Sequence, residues 1–247
     1  MKSRLFYIAL CLMASIVISA CEDERFVLPP TNDDDSTEAP KDPDEGTAPS
    51  KPELNNPDYP DTSWAAGELD WVFDMNVIPE IRINVSVEEW NKLLEAYDHD
   101  SNTNTYIHCD AEFKSKGEEH SFVDAGLRLR GNTSRRRPEG NGGEMHRTDN
   151  TDWHHCHFLL NLRKFQKDDA HELHNVRKLH LKWHKDDRAY CREIYSYDLF
   201  RRFGIWTAAY SSYCRLWIHV EGDKEPAYYG VYEMIESIDD KYVKKRN

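Results

Sequence analysis

Residues 22–62 limit what the rest of this 247-residue chain can fold into. The segment contains 13 acidic residues against three basic ones, and it holds eight of the eleven prolines. Such a composition buries too little apolar surface to offset the entropy of folding, and its like charges keep it extended. We therefore predict a disordered acidic stalk over residues 21–62 and one folded domain over residues 63–247. Because the stalk carries most of the net charge of −13, the acidity of the chain says nothing about the ligand of the domain.

The first twenty residues have the features of a bacterial export signal. Lys2 and Arg4 precede an uncharged apolar run that ends in Ile18-Ser-Ala-Cys21. This run is too short for a comfortable membrane span, and small residues before the cysteine suit signal cleavage. Its end resembles the lipobox of bacterial lipoproteins, and the acidic residues after Cys21 are similar to surface-export signals. The resemblance implies a signal peptide over residues 1–20, lipidation of Cys21, and a lipid-anchored protein of the bacterial cell envelope, in the outer membrane and exposed at the surface. A transmembrane anchor or an ordinary secretory signal is the alternative.

Hydrophobic periodicity in the domain predicts an α+β fold, with an antiparallel sheet and few helices. Ser86 begins a capping box before a helix with one apolar face, and a second helix over residues 188–203 is apolar almost all round. That second helix is therefore predicted to be central. Apolar residues recur at every second position in seven further stretches, which is typical of strands: residues 81–85, 107–113, 123–129, 158–162, 179–183, 214–220 and 228–235.

The most distinctive stretch of the domain covers residues 126–138. It begins as a strand with Arg128 and Arg130 on one face, and at Gly131 it turns into a loop of small polar residues and three more arginines. Guanidinium groups bind phosphate oxygens bidentately, and glycine lets backbone N–H groups approach a ligand closely. The stretch therefore suits a polyanion with phosphate geometry. A β-hairpin tip with a solvated basic loop explains the local spacing equally well.

The histidines suggest a different kind of site. Eight of the twelve histidines lie between residues 146 and 184, including His154-His-Cys-His157, His180 and His184. Imidazole and thiol groups are good zinc or copper ligands. On a strand, however, successive side chains point to opposite faces, so at most two of these groups meet easily. We therefore expect no metal site from these residues.

Four cysteines belong to the predicted domain: Cys109, Cys156, Cys191 and Cys214. Outside the cytoplasm, an even number of cysteines permits two disulfides with three possible connectivities. We expect at least one disulfide, involving Cys191 or Cys214. Four buried free thiols are the alternative, because cysteine packs well as a small hydrophobic residue.

Three sequence blocks of the domain are distinctive in their order and spacing. The first block is GLRLRGNTS over residues 126–134, and the second is KLHLK over residues 178–182, followed by Asp187 and Glu193. The third block is YGVYEMIE over residues 229–236. Together the blocks resemble the CotH family, which are spore-coat-type atypical protein kinases with a distant kinase fold. The resemblance covers about residues 70–247 and implies the amino-terminal part of a kinase-like fold.

The resemblance also implies an activity. Members of the family are expected to transfer the γ-phosphoryl group of ATP to a serine or threonine of a secreted or surface protein, with Mg²⁺ or another divalent cation. The loop over residues 130–134 would cover the phosphates, Lys182 would contact them, and Glu193 would hold Lys182. Two further carboxylates would lie near the base or ribose. The implied cofactor-binding residues are Arg128, Arg130, Gly131, Asn132, Thr133, Ser134, Lys182, Glu193, Glu233 and Glu236.

The family pattern continues beyond the third block, and its later part supplies the aspartates that bind metal and activate the acceptor hydroxyl. This sequence ends at Asn247, so we assign no catalytic base and no metal ligand. We expect a fragment or a truncated homologue that binds ATP without turnover. The alternative function is a non-catalytic surface lipoprotein that acts as a scaffold or adhesion module. The expected partners are a nucleotide, a protein acceptor and the membrane through the lipid, but no nucleic acid.

Overall fold

The computed structural model describes residues 68–246 of the chain. The predicted signal peptide, Cys21 and the stalk lie outside these residues. Within residues 68–246, no helix is both long and apolar enough to cross a membrane.

Seven strands form one sheet that closes into a barrel in the order β1-β2-β3-β4-β5-β7-β6. Six of the neighbouring pairs are antiparallel, and the parallel pairing of β1 with β6 closes the barrel. The α+β class therefore holds, and the predicted antiparallel sheet is present in part, because one parallel pairing closes it into a mixed barrel. The strands are β1 (Glu80–Val85), β2 (Ile107–Ser115), β3 (Glu118–Leu129), β4 (Phe158–Asn161), β5 (Lys178–Lys182), β6 (Ser211–Val220) and β7 (Ala227–Glu236).

Alternation of side chains places one apolar row of each strand inside the barrel. Ile83, Leu127, Leu181 and Leu216 are fully buried there, whereas polar residues such as Lys182 point outwards. Closure gives each strand two partners, so β1 is not left as an edge with unpaired backbone groups. The period-2 pattern thus predicts the strands, and the pairing of β1 with β6 decides the architecture.

Four helices accompany the barrel: α1 (Leu69–Val72), α2 (Val87–His99), α3 (Arg192–Arg202) and α4 (Asp240–Arg246), with a short 3₁₀ turn over Asp169–His171. In α2, the Ser86 hydroxyl accepts a hydrogen bond of 3.2 Å from the Glu89 N–H, as the capping box predicts. Trp90, Leu93 and Leu94 form the buried face of α2. The sequence-based prediction for this helix is confirmed.

Helix α3 differs from its prediction. It begins at Arg192 rather than at residue 188, because Tyr190 has a φ of +55°, which is incompatible with a helix. Ile194 is its one buried residue, while the side chains of Phe200 and Phe203 are 45% and 68% exposed. The strands close around their own core, so α3 packs outside the barrel and the prediction of a central helix is wrong.

The predicted disulfide is also absent from the described residues, since all four of their cysteines are free. Cys109, Cys156 and Cys214 are buried in the core, and Cys191 is exposed just before α3. Burial raises the pKa of the three core thiols well above its ordinary value, because the thiolate would lose its hydration. These cysteines therefore act as small hydrophobic residues.

Candidate functional site

A row of polar side chains crosses four adjacent strands on the outer face of the barrel. The Arg130 N–H donates a hydrogen bond of 3.0 Å to the His157 carbonyl, which aligns the end of β3 with the start of β4. Phe158 pairs with Leu181, so His157 lies beside Lys182, and Lys182 in turn pairs with Glu233 of β7. Because these four positions are in register, their side chains share one face of the sheet.

Helix α3 brings a carboxylate to this row. The Asp187 carboxylate accepts hydrogen bonds from the backbone N–H groups of Ala189, Cys191 and Arg192 at 3.1, 3.0 and 2.7 Å. These bonds, chiefly that from Arg192, lower the pKa of Asp187 and fix the start of α3. One residue later, the Glu193 carboxylate forms an ion pair with the Lys182 ammonium group. The predicted contact between Lys182 and Glu193 is therefore present.

Arg130 is the least satisfied cation of the row. Its side chain is half-buried, and its guanidinium group makes no hydrogen bond or ion pair with any residue that the structure describes. Burial, and then the nearby charge of Arg128, lowers the pKa of Arg130, with Glu193 acting in the opposite direction. A guanidinium group that has lost hydration without gaining a partner favours an incoming anion.

Two histidines next to these cations are held in the neutral form. The pKa of His157 is lowered to about 4 by burial and by Arg130 and Lys182, while that of His180 is lowered to about 3 by burial and by Arg130 and Arg128. The Nδ1 atom of His157 accepts a hydrogen bond of 2.9 Å from the Trp183 N–H, which fits this neutral state. The positive charge of the face thus comes from the lysine and arginine side chains alone at neutral pH.

The loop after β3 depends on Gly131. This residue has a φ of +111°, and a Cβ atom there would lie 2.6 Å from the Ser134 Oγ atom. The Arg135 Nε atom donates a hydrogen bond of 2.7 Å to the Gly131 carbonyl, which closes the turn. Asn132 and Thr133 follow Gly131 in this loop, and both are exposed. A side chain at position 131 would clash with the Ser134 hydroxyl and would be strained by the positive φ.

Most of the other arginines of this stretch have partners within the protein. Arg128 donates a hydrogen bond of 2.9 Å to the Asn104 side chain, and Arg135 contacts the same amide at 3.0 Å. Arg137 is buried in a bidentate ion pair with Asp98 of α2, at 2.9 and 3.1 Å. These contacts fit neither an array of five phosphate-binding arginines nor a solvated basic loop. Arg130 carries the anion-binding potential of the strand.

The two carboxylates of β7 lie in different surroundings. Glu233 is buried on the outer face, where its Oε1 atom is 3.3 Å from the His184 Nδ1 atom. Glu236 points to the other side and receives a bidentate ion pair from Arg246 of α4, at 3.1 and 2.7 Å. The Tyr210 N–H adds a hydrogen bond of 3.2 Å to Glu236. The structure therefore places Glu233 with Lys182 and separates Glu236 from them.

The clustered histidines of the sequence are dispersed in the fold. The His154 ring contacts the Arg137 carbonyl and the Asp152 carboxylate, whereas the His155 ring stacks on Trp183 with centroids 3.6 Å apart. Of the histidines in the 154–157 stretch, His157 is the one that lies beside Lys182. The sequence did not show that His157 lies beside Lys182, because this position depends on the pairing of β4 with β5 and not on a local motif.

The CotH kinase protein family model matches residues 127–247, and searches of curated proteins and of solved structures found no match. The matched segment begins within β3 and includes Arg130, Lys182, Glu193 and Glu233. The match confirms the resemblance that the three sequence blocks carry. It indicates a kinase-related function, for which the family in general uses a nucleotide and a divalent cation.

Proposed function

Since residues 127–247 match the CotH kinase protein family, we propose that this domain binds the phosphates of ATP on the outer face formed by Arg130, Lys182 and Glu193. The activity that it serves is phosphoryl transfer to a serine or threonine of a secreted or surface protein. The observation that carries the proposal is the half-buried Arg130 guanidinium group, which no described residue satisfies.

The ion pair between Lys182 and Glu193 is the second feature of this face that suits phosphate binding. The ion pair holds the ammonium group at the start of α3, beside the neutral ring of His157. Phosphoryl transfer depends mainly on positioning and on electrostatic stabilisation of the phosphate oxygens. A lysine fixed by a helix carboxylate supplies both, because its charge stays in one place while the Gly131 loop accommodates the phosphates.

The position of the divalent cation is less well defined than the proposed position of the phosphates. Mg²⁺ prefers oxygen ligands, and it usually keeps several waters and bridges substrate phosphates. The Glu193 carboxylate beside this face already pairs with Lys182. Among residues 68–246 we therefore assign no metal ligand, and we propose that the cation enters with the nucleotide.

Replacing Arg130 with alanine is expected to weaken binding of Mg-ATP by roughly 10- to 100-fold, and Lys182→Ala is expected to have an effect of similar size. Each substitution removes a charge-assisted hydrogen bond worth about 1.5–3 kcal/mol. Isothermal titration calorimetry of the folded full chain measures the change directly. Thermal unfolding of each variant shows whether the fold is retained.

Arg147→Ala is the matched control for this experiment. Arg147 lies on the surface, paired with Asp149 at 3.0 Å, and both side chains are more than two-thirds exposed. Its removal should leave the affinity for Mg-ATP unchanged. If the folded parent chain binds no nucleotide, the proposal fails, and the alternative of a non-catalytic surface scaffold or adhesion module gains support.

We also propose that Cys21 carries a lipid that anchors the protein in the bacterial outer membrane. The lipobox-like Ile18-Ser-Ala-Cys21 and the charged residues on either side support this proposal. A Cys21→Ala variant is expected to move from the membrane to the soluble fraction, because a covalent acyl chain supplies most of such membrane affinity. Fractionation followed by immunoblotting measures the shift, and an equally membrane-bound variant would contradict it.

A further inference from the structure

Three metal-ligating side chains meet at the end of the barrel opposite to Arg130. Glu118 and His120 lie at the start of β3, whose last residue is Leu129, and His174 lies in the connection between β4 and β5. One donor atom from each of the three side chains lies within 4.8 Å of the other two. They form the only such group of three among residues 68–246.

Both imidazole rings of this group present a buried nitrogen with nothing to bind. The Nε2 atoms of His120 and His174 are shielded from solvent and have no hydrogen-bond partner among the described residues. The closest carboxylate oxygen, Oε2 of Glu118, is 3.4 Å from the His120 Nε2 atom but forms no hydrogen bond with it. A buried polar atom without a partner costs about 1–3 kcal/mol, so two such atoms side by side indicate a missing ligand.

The surrounding structure holds the rings in place. The ring of Trp71 in α1 stacks on that of His174 at 4.1 Å and meets that of His120 edge-on at 5.5 Å. His174 and Asn175 form a two-residue turn with φ values of 42° and 67°, closed by hydrogen bonds of 2.9 and 2.8 Å between Leu173 and Val176. The turn therefore fixes the backbone of His174, and the Trp71 indole packs against one face of the His174 ring.

The electrostatic surroundings are compatible with a cation. The Lys116 ammonium group is near, 5.6 Å from the Trp71 ring centroid, but it is paired with Asp74 at 2.8 Å. The Glu118 carboxylate supplies one negative charge, and the Glu68 carboxylate also interacts electrostatically with the His174 ring.

We propose that Glu118, His120 and His174 bind Zn²⁺, with the fourth coordination position open to water. Two imidazoles and a carboxylate form a ligand set that zinc accepts, whereas Mg²⁺ prefers oxygen ligands alone. Zinc bonds of about 2.0–2.2 Å require the three side chains to draw together slightly around the ion. The bound metal ties the β2–β3 hairpin to the connection before β5, and it does so independently of nucleotide binding at Lys182.

The test uses the full chain after treatment with a chelator, titrated with Zn²⁺ alone. The parent is expected to bind one Zn²⁺ at this site and to unfold at a higher temperature with the metal. His174→Asn and His120→Thr should each lower the affinity by at least about tenfold. Asparagine tolerates the positive φ of position 174, and threonine suits the strand at position 120, so both variants preserve the local backbone.

A second readout locates the metal. Titration with Co²⁺ should produce the visible absorption of a four-coordinate site, and it should quench tryptophan fluorescence less in a Trp71→Phe variant than in the parent. His99→Gln is the matched control, since His99 is an exposed histidine in the last turn of α2, and its affinity for Zn²⁺ should be unchanged. Failure of the folded parent to bind Zn²⁺ would overturn the proposal. Equal Zn²⁺ affinity in the parent and in His174→Asn would overturn it as well, even if His120→Thr does not fold.

Discussion

Replacing Arg246 with methionine is expected to lower the free energy of unfolding by about 3–5 kcal/mol. In the native protein, Arg246 and Glu236 form a bidentate ion pair whose side chains are 4% and 6% exposed. The substitution leaves the Glu236 carboxylate buried with the Tyr210 N–H as its remaining hydrogen-bond donor among those described here. Urea unfolding followed by circular dichroism measures the loss.

Two further variants separate the ion pair from the helix that carries it. Lys244→Met removes a cation from the same helix, but the ammonium group of Lys244 is exposed and lies 3.9 Å from Asp240, so the change should cost less than about 1 kcal/mol. A Glu236→Leu/Arg246→Met double variant removes both charges and should recover most of the lost stability. An Arg246→Met protein as stable as Lys244→Met would contradict the structural role of the pair.

This pair bears on the function predicted for Glu236. A carboxylate that holds α4 against the barrel through Arg246 has its two oxygen atoms occupied. A contribution of Glu236 to nucleotide binding stays a prediction, and stability must be measured alongside affinity in any Glu236 variant. Glu233 is better placed, because it shares the outer face with Lys182.

Local features of the fold were readable from the sequence because they depend on neighbours in the chain. The Ser86 cap of α2 and the alternation in β1 and β2 need only periods of 3.6 and 2 residues. The contact of Lys182 with Glu193 was predicted from the family resemblance, and the structure contains it.

What the sequence did not reveal are contacts that depend on closure of the barrel. The partner of β1 is β6: Ile83 pairs with Ile218, which lies 135 residues later in the chain, and no local pattern encodes that choice. The exposure of α3 follows from the same closure. From the sequence alone, Arg137 is one more basic residue of the loop. In the structure it is buried, because α2 places Asp98 beside it.

The long segment between β3 and β4 illustrates this limit, since it contains a buried cluster of ionisable side chains that no sequence pattern predicts. The His146 Nδ1 atom lies 3.0 Å from the Glu139 carboxylate, and the His146 Nε2 atom lies 3.1 Å from that of Asp223. The Trp90 indole N–H donates a further hydrogen bond of 2.7 Å to Glu139. The cluster therefore connects this segment to α2 and to the turn between β6 and β7.

His146→Leu is expected to destabilise the protein by about 3–5 kcal/mol, because it leaves two buried carboxylates without their shared partner. The side chains of His146, Glu139 and Asp223 are 1%, 4% and 6% exposed, so water cannot replace the lost hydrogen bonds. Burial raises the pKa of Asp223, and His146 acts in the opposite direction. Chemical denaturation of parent and variant measures the difference.

The control for His146 is a histidine–carboxylate pair of the same kind at the surface. His108 lies 2.5 Å from Asp124, but the two side chains are 47% and 32% exposed, so His108→Leu should cost no more than about 1 kcal/mol. Equal losses in the two variants would contradict the role assigned to burial. A large loss in His146→Leu alone, accompanied by weaker Mg-ATP binding, would show that the His146 cluster also fixes the segment that follows Arg130 and Gly131.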